Sequence, residues 1–124
     1  MKTKVSLSLF VVLGSLEGNM ILNDENDLLP TVDLLDNDGN LINTPEDGVN
    51  ILINKFFKID SDYVKKNISG TYINHNDGSI NIYHKIILIK SSVFFGNTVK
   101  YVSLKDKIED ERYYELFKYF KLSG

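Results

Sequence analysis

The sequence TPEDGVNILINKFFKI, residues 44–59, decides the fold of this chain, because it carries the signals of an interior helix. Thr44 is suited to cap this helix, since its hydroxyl can accept a hydrogen bond from a free backbone N–H of the first turn. Pro45 then takes the first helical position, where its missing N–H costs nothing. Asp47 follows three residues after the cap and puts a negative charge near the positive end of the helix dipole. We therefore predict a helix that begins at Pro45.

The apolar residues of this helix cover more than one of its sides. One face is formed, at the spacing i, i+3, i+4 and i+7, by Val49, Leu52, Ile53 and Phe56. Ile51 and Phe57 lie off this face and widen the apolar surface. A helix of this kind is either enclosed within its own domain or covered by a partner.

Length and charge restrict the class of protein. With 124 residues, the chain is predicted to form a single domain over residues 1–124. Its net charge is −3, with 14 Lys and Arg against 17 Asp and Glu, so nucleic-acid binding through a basic patch is not expected. No segment approaches the about 20 apolar residues that a membrane-spanning helix needs. We therefore expect neither a nucleic-acid nor a membrane partner.

The residue types that are missing or abundant indicate the chain's environment. No cysteine is present, which excludes disulfides, thiolate metal sites and a cysteine nucleophile, and fits a reducing cytoplasm. Asn, Ile and Lys are abundant and Trp is absent, a bias typical of AT-rich genomes such as those of some bacteria and their phages. We expect a cytoplasmic protein, in the host cytoplasm if it is phage-encoded, or else a virion component.

The N-terminal residues allow two interpretations. Residues 1–4 and the apolar residues 5–13 could pass for the basic and apolar regions of a signal peptide. However, Ser6 and Ser8 alternate with apolar residues, which is the period of a strand, and no small-residue pair makes a good cleavage site. We favour a strand over residues 5–13, fully apolar in its second half as a central strand would be.

The rest of the chain reads as strands followed by a second helix. Further strands are predicted at 20–23, 68–73, 80–90 and 99–104, with short apolar segments at 28–35 and 91–95, a polar connection at 60–67, and turns at 14–19, 36–40 and 96–97. Residues 75–78 end in Asp-Gly and indicate a tight hairpin. An amphipathic helix is predicted over residues 105–121, where an aromatic core stripe is formed by Tyr113, Leu116, Phe117 and Phe120.

The order of these elements resembles the Nudix family of hydrolases that act on nucleoside-diphosphate-linked substrates. Leu29-Pro30 is similar to the "LP" that precedes the family's catalytic box, and residues 44–47 (TPED) are similar to the "SPEE" that opens its helix. Residues 99–106 (VKYVSLKD) are similar to the late "VRWVSLEEL" segment. The resemblance implies an α/β fold, an α/β/α sandwich around a mixed sheet, over nearly the whole chain.

The catalytic box itself, G-x5-E-x7-R-E-U-x-E-E-x-G-U with U aliphatic, is degenerate. In the register set by residues 44–47, its positions fall in order on Asn37, Asn43, Ile51, Leu52, Ile53, Lys55, Phe56, Lys58 and Ile59. Only the two aliphatic positions, Ile53 and Ile59, are kept. A shift of four residues brings Lys55 to the arginine position and Asp60 to one glutamate, but still leaves Phe56 and Ile59 where carboxylates belong.

The chemistry of the family depends on those carboxylates. Glutamates on one helix face bind Mg²⁺ or Mn²⁺, which stabilises the charge that builds on the attacked diphosphate. Leu52 and Phe56 lie four residues apart on one face and offer no oxygen. We therefore predict that the fold is kept and the catalytic centre lost, with no cofactor, no metal ligand and no catalytic residue.

Other residues are weaker candidates for a site. Acidic side chains in and beside the loop before the helix could form a rearranged cation or nucleotide site; they are Asp33, Asp36, Asp38, Glu46 and Asp47. The glutamate that would close a calcium loop there is missing. His75 and His84 lie in a turn and a strand, with no third ligand at a suitable spacing.

We predict a non-catalytic Nudix-like domain that acts in binding or assembly, through a protein partner or self-association. The predicted contact consists of Ile51, Leu52 and Lys55, because the family's box face is here apolar. One alternative is a divergent hydrolase of nucleoside-diphosphate-linked substrates that uses the loop carboxylates. Another is a metal-free nucleotide-binding regulator. Convergence of two carboxylates in one cleft would favour the hydrolase.

Overall fold

The structure is a computed structural model that describes residues 3–14, 20–24, 26, 28–57, 61–76, 78–89, 100–107 and 110–120. Residues 15–19 of the turn predicted at 14–19, the predicted turn at 96–97 and the apolar segment at 91–95 lie outside the described residues.

The described strands form one six-stranded mixed sheet. In chain order they are β1 (Lys4–Gly14), β2 (Met20–Asn23), β3 (Thr31–Asp33), β4 (Ile68–Asn76), β5 (Ser79–Ile89) and β6 (Lys100–Ser103). They lie in the order β4-β5-β1-β2-β6, with β3 also paired to β1. The predicted strands at 5–13, 20–23, 68–73, 80–90 and 99–104 are confirmed within a few residues at each end.

Strand β1 is the centre of this sheet. It runs parallel to β5 from the Lys4–Ser79 pair to the Gly14–Ile89 pair, and antiparallel to both β2 and β3. Its apolar second half is buried on both faces, as expected of a central strand. The interpretation of residues 5–13 as a strand is therefore confirmed.

Helices cover the two faces of the sheet. They are α1 (Pro45–Phe56), α2 (Ser61–Lys66), α3 (Leu104–Lys107), a single 3₁₀ turn (Glu111–Tyr113) and α4 (Tyr114–Phe120). Leu7, Leu9 and Val11 of β1 share one core cluster with the inner faces of α1 and α2. Phe10 and Val12 share a second cluster with α4. The predicted α/β/α sandwich is confirmed. No described helix has the length and apolar character needed to cross a membrane.

The signals at the start of α1 act as predicted. The Asp47 backbone N–H donates to the Thr44 hydroxyl oxygen at 3.1 Å, and Pro45 is the first helical residue. The helix ends at Phe56, earlier than the predicted Ile59, because the Phe57 backbone is already extended. Part of the predicted polar connection folds as the separate helix α2.

The prediction of one helix over residues 105–121 is wrong. The Asp110 backbone N–H donates to the Lys107 carbonyl at 3.1 Å, and the Tyr113 N–H donates to the Asp110 carbonyl at 2.9 Å. These three-residue turns replace the four-residue bonds of an α-helix and divide the segment. The division keeps the aromatic stripe on the sheet, since Tyr113, Leu116 and Phe117 are buried as predicted.

The hairpin between β4 and β5 closes as predicted. Asn76 pairs with Ser79 across the turn, and Gly78 has a φ of 73°, which a residue with a Cβ rarely adopts. This turn fixes the register of two long strands that position the candidate site.

We expect Thr44→Ala to lower the free energy of unfolding by about 1 kcal/mol, through loss of the cap bond. Phe117 is buried with its ring centroid 5.9 Å from that of Phe10, so Phe117→Ala is expected to cost more, roughly 3 to 5 kcal/mol. Urea unfolding of both variants beside the wild type measures the difference. Equal small effects would contradict the assignment of one helix or both.

Candidate functional site

The inner face of α1 is filled with apolar side chains. Leu52 is 2% exposed and Phe56 is 3% exposed, and both belong to the core cluster between α1 and the sheet. In the register of the resemblance, these two positions would carry glutamates. The face is therefore packed core in this chain rather than the wall of an open cleft.

The residues predicted to contact a partner lie in two different environments. Ile51 is 42% exposed, and Lys55 is exposed with its Nζ 5.4 Å from the centre of the Phe56 ring. Leu52 is interior, so it cannot meet a partner while the core keeps this packing. The surface part of the predicted contact is therefore Ile51 and Lys55.

Asp36 organises the loop in front of α1. Its Oδ1 accepts backbone N–H bonds from Asp38 and Asn40, each at 2.9 Å. The bond from the Asn40 backbone is the main reason that the pKa of Asp36 lies below its usual value. Gly39, with a φ of 84°, completes the turn. These bonds give Asp36 a structural role in shaping the loop.

The other candidate carboxylates are only partly brought together. Asp33 and Asp36 line one surface cavity of about 140 Å³, which Lys4 also lines. Glu46 and Asp47 are exposed in the first turn of α1. Asp38 is exposed at the tip of the loop.

The candidate carboxylates do not form a cluster of metal ligands. Within the described ranges, no three or more His, Asp or Glu side chains come close enough to hold a metal ion. The loop therefore offers one pair of carboxylates rather than a cluster.

A polar groove that was not predicted from the sequence lies beside α4, on the face of the sheet opposite to α1. Its larger part, of about 340 Å³, is lined by Tyr72, Asn74, Asn81, Tyr83, Glu111, Glu115 and Leu116. Its smaller part, of about 170 Å³, is lined by Ser8, Leu28, Leu29, Thr31, Tyr83 and Tyr113. Tyr83 lines both parts. We refer to these two cavities together as the tyrosine groove.

The aromatic side chains of the tyrosine groove are held in place by each other and by Glu115. The Tyr72 hydroxyl donates to Glu115 Oε2 at 2.9 Å. The Tyr72 and Tyr83 rings are nearly parallel, with centroids 6.1 Å apart and an interplanar angle of 20°. Tyr119 packs on Tyr72 with centroids 4.6 Å apart. Tyr72 of β4 therefore connects Tyr83 of β5 to Tyr119 of α4 through contacts between their rings.

Hydrogen bonds between strands fix the polar floor of the groove. The Ser6 hydroxyl donates to Asn81 Oδ1 at 2.5 Å, and the Ser8 and Thr31 hydroxyl oxygens lie 2.7 Å apart. In the sequence, this face is marked by polar residues at every second position: Ser6 and Ser8 on β1, and Asn81 and Tyr83 on β5. The residue between each pair points to the other, apolar face of the sheet.

Burial changes the titration of Tyr83. Desolvation raises the pKa of its hydroxyl, and the negative charge of Glu115 raises it further. A ligand in the tyrosine groove would thus meet neutral phenols and two carboxylates, Glu111 and Glu115.

The free energy of unfolding is expected to fall as the pH rises above about 10, the ordinary tyrosine pKa, partly because of Tyr83. Unfolded Tyr83 loses its proton there, whereas folded Tyr83 keeps it up to its raised pKa, so a rising pH favours the unfolded chain. Tyr83→Phe should reduce this slope in urea unfolding measured at several alkaline pH values. The same slope in variant and wild type would contradict the raised pKa.

Phe56→Glu is expected to destabilise the domain by several kcal/mol, about 3 or more, because a buried carboxylate must be protonated or draw in water. Ile51→Glu is the matched control, since it makes the same kind of change on the exposed side of α1 and should alter stability little. Thermal and urea unfolding compare the two. An unchanged midpoint for Phe56→Glu would overturn the assignment of the buried face.

Comparison with known proteins supports the fold. No family model matches this sequence, and no curated protein matches it either. Among solved structures, an Ap4A hydrolase of C. elegans superposes with a TM-score of 0.59 at 12% identity, covering 96% of this chain and 94% of its own. A binary complex of a C. elegans Ap4A hydrolase gives a TM-score of 0.54 at 12% identity, covering 96% and 93%. At this identity the likeness is one of fold alone, and the chain has a Nudix-like fold.

Proposed function

We propose that this chain is a Nudix-like domain that does not hydrolyse diphosphate bonds and instead acts by binding, to a protein partner or to a second copy of itself. The single observation that supports this proposal is the packing of Leu52 and Phe56 into the core. They occupy the positions at which the family's box would carry metal-binding glutamates.

The chemistry of the metal explains why this packing matters. Mg²⁺ takes oxygen ligands in a near-octahedral arrangement, and it acts on a diphosphate by neutralising the charge that develops in the reaction. A leucine and a phenylalanine supply no oxygen and exclude water from the same space. The described residues contain no other cluster of three possible metal ligands. We therefore propose neither a metal site nor a catalytic residue.

The binding surface that we propose includes Ile51 and Lys55 on the outer side of α1. An exposed isoleucine beside a lysine whose Nζ lies 5.4 Å from the centre of the Phe56 ring gives an apolar contact with a charged rim. The composition of the chain suggests a bacterial or phage origin and a cytoplasmic location.

A divergent hydrolase is the first alternative. It is supported by the fold, which the chain shares with Ap4A hydrolases, and by the cavity that Asp33 and Asp36 share. In this alternative the loop carboxylates, rather than the helix, would bind the metal. Two acidic residues that line one cavity favour this alternative, whereas a cluster of three possible ligands is not found among the described residues.

A metal-free nucleotide-binding regulator is the second alternative, and the tyrosine groove favours it. The faces of Tyr72 and Tyr83 could stack on a planar ring, and the Asn74 and Asn81 amides could hydrogen-bond to its edge. However, Glu111 and Glu115 line the same groove and would repel phosphate groups. The groove therefore supports recognition of the base of a nucleotide and opposes recognition of its phosphates.

We expect no turnover of nucleoside-diphosphate sugars, dinucleoside polyphosphates or oxidised nucleoside triphosphates by the purified protein, with either Mg²⁺ or Mn²⁺. The physical reason is the lack of oxygen ligands at Leu52 and Phe56, the two buried positions of α1 that the family's box would use. Chromatographic separation of substrate from product measures this directly, with Asp36→Asn as the matched variant. Metal-dependent turnover that disappears in Asp36→Asn would overturn the proposal and establish the hydrolase.

A further inference from the structure

Strand β4 forms one edge of the sheet. In the part of the chain that the structure describes, it pairs only with β5. Alternate residues of an antiparallel pair direct their N–H and C=O groups toward each other, so the remaining residues of an edge strand direct theirs outward. Over its nine residues, Ile68–Asn76, β4 thus presents a row of donors and acceptors that could pair with another strand.

The features that usually protect a sheet edge are missing from most of β4. Its sequence, ISGTYINHN, contains no Lys, Arg, Asp, Glu or Pro. One irregularity lies between Ile68 and Gly70, which leaves residues 71–76 in regular pairing. The opposite edge strand, β6, has four residues and begins with Lys100. Of the two edges, β4 is the one suited to accept a further strand.

An exposed apolar side chain lies beside this edge. Ile73 is 50% exposed, and it stands directly opposite Ile82 of β5, which packs partly against the core. Thr71 occupies the same face and its hydroxyl lies 2.9 Å from His84 Nδ1. A strand added at the edge would cover Ile73 and remove its apolar surface from water.

We propose that the chain forms a twofold dimer in which β4 pairs antiparallel with β4 of a second copy, extending the sheet across both molecules. The strand is self-complementary about Ile73. In such a pair the two Ile73 side chains stand opposite each other, Thr71 stands opposite His75, and Tyr72 stands opposite Asn74.

The absence of acidic residues, lysine and arginine from β4 favours a second copy over a different partner. When β4 pairs with itself, no like charges come together. A different chain, in contrast, would find no charge pattern on β4 that selects it. This inference goes beyond the proposed function, because it adds a second copy as a partner on β4, a surface separate from Ile51 and Lys55 of α1.

The contact is small, so the dimer is expected to dissociate on dilution. One strand pair buries less surface than a standard stable interface, and we expect a dissociation constant in the micromolar range, roughly 1 to 100 µM. Sedimentation velocity of the whole chain over a range of concentrations measures this equilibrium.

Ile73→Lys is the variant that tests the surface. It places two lysines opposite each other at the twofold axis and should weaken the dimer by about tenfold or more. Ile42→Lys makes the same change at an exposed isoleucine outside β4 and outside the proposed α1 surface, and should leave the dimer intact. Far-UV circular dichroism checks that both variants fold, which is expected because neither side chain is buried.

Hydrogen exchange of the wild type tests the pairing without any substitution. Amides in residues 71–75 should exchange more slowly as the protein concentration rises, whereas those of β6 should not change.

Each result separates this inference from the proposed function. A chain that stays monomeric at high concentration and is inactive as a hydrolase overturns the dimer and leaves a binding role for other partners. A dimer that Ile51→Lys dissociates and Ile73→Lys does not would overturn the β4 contact in favour of α1. Metal-dependent hydrolysis overturns the proposed function, whatever the state of association.

Discussion

The packing of α1 against β1 is the interaction on which the rest of this structure depends. Leu52 and Phe56 share one buried cluster with Leu7 and Leu9, and this burial holds the helix on β1, the strand that pairs with β2, β3 and β5. A carboxylate cannot occupy that space without losing its charge or drawing in water. The chain can therefore have a dry core or a metal-lined cleft at this place, and its side chains make the dry core.

The parts of the fold that the sequence predicted are those with local signals. Thr44 and Pro45 mark the start of α1 within a few residues, and Gly78 closes the hairpin through a backbone angle that glycine adopts readily. The C-terminal segment shows the limit of this reasoning. Its aromatic repeat predicted burial correctly, but periodicity gave no sign that backbone bonds at Asp110 would divide the helix.

The candidate site could be predicted only where it lies within one element. That positions 52 and 56 of α1 offer no oxygen ligand is visible in the identity of Leu52 and Phe56 alone. The tyrosine groove, in contrast, is assembled across β4, β5 and the C-terminal helical turns, and Tyr72 meets Glu115 across 43 positions of sequence. No spacing rule joins residues so far apart, because their contact depends on the register of β4 with β5 and on the angle at which α4 crosses the sheet. Leu52 shows a different difficulty. An apolar residue on a helix is equally compatible with the core and with a partner contact until its burial is known.

The surfaces left open by the filled helix face are connected to each other through Tyr72. Its backbone lies in β4, the strand proposed to pair with a second copy, and its hydroxyl donates to Glu115 in the tyrosine groove. Tyr72 therefore belongs both to the tyrosine groove and to the strand of the proposed interface. With Leu52 and Phe56 in the core, the surfaces on which the proposed binding rests are the outer side of α1, the tyrosine groove and the edge that β4 forms among the described strands.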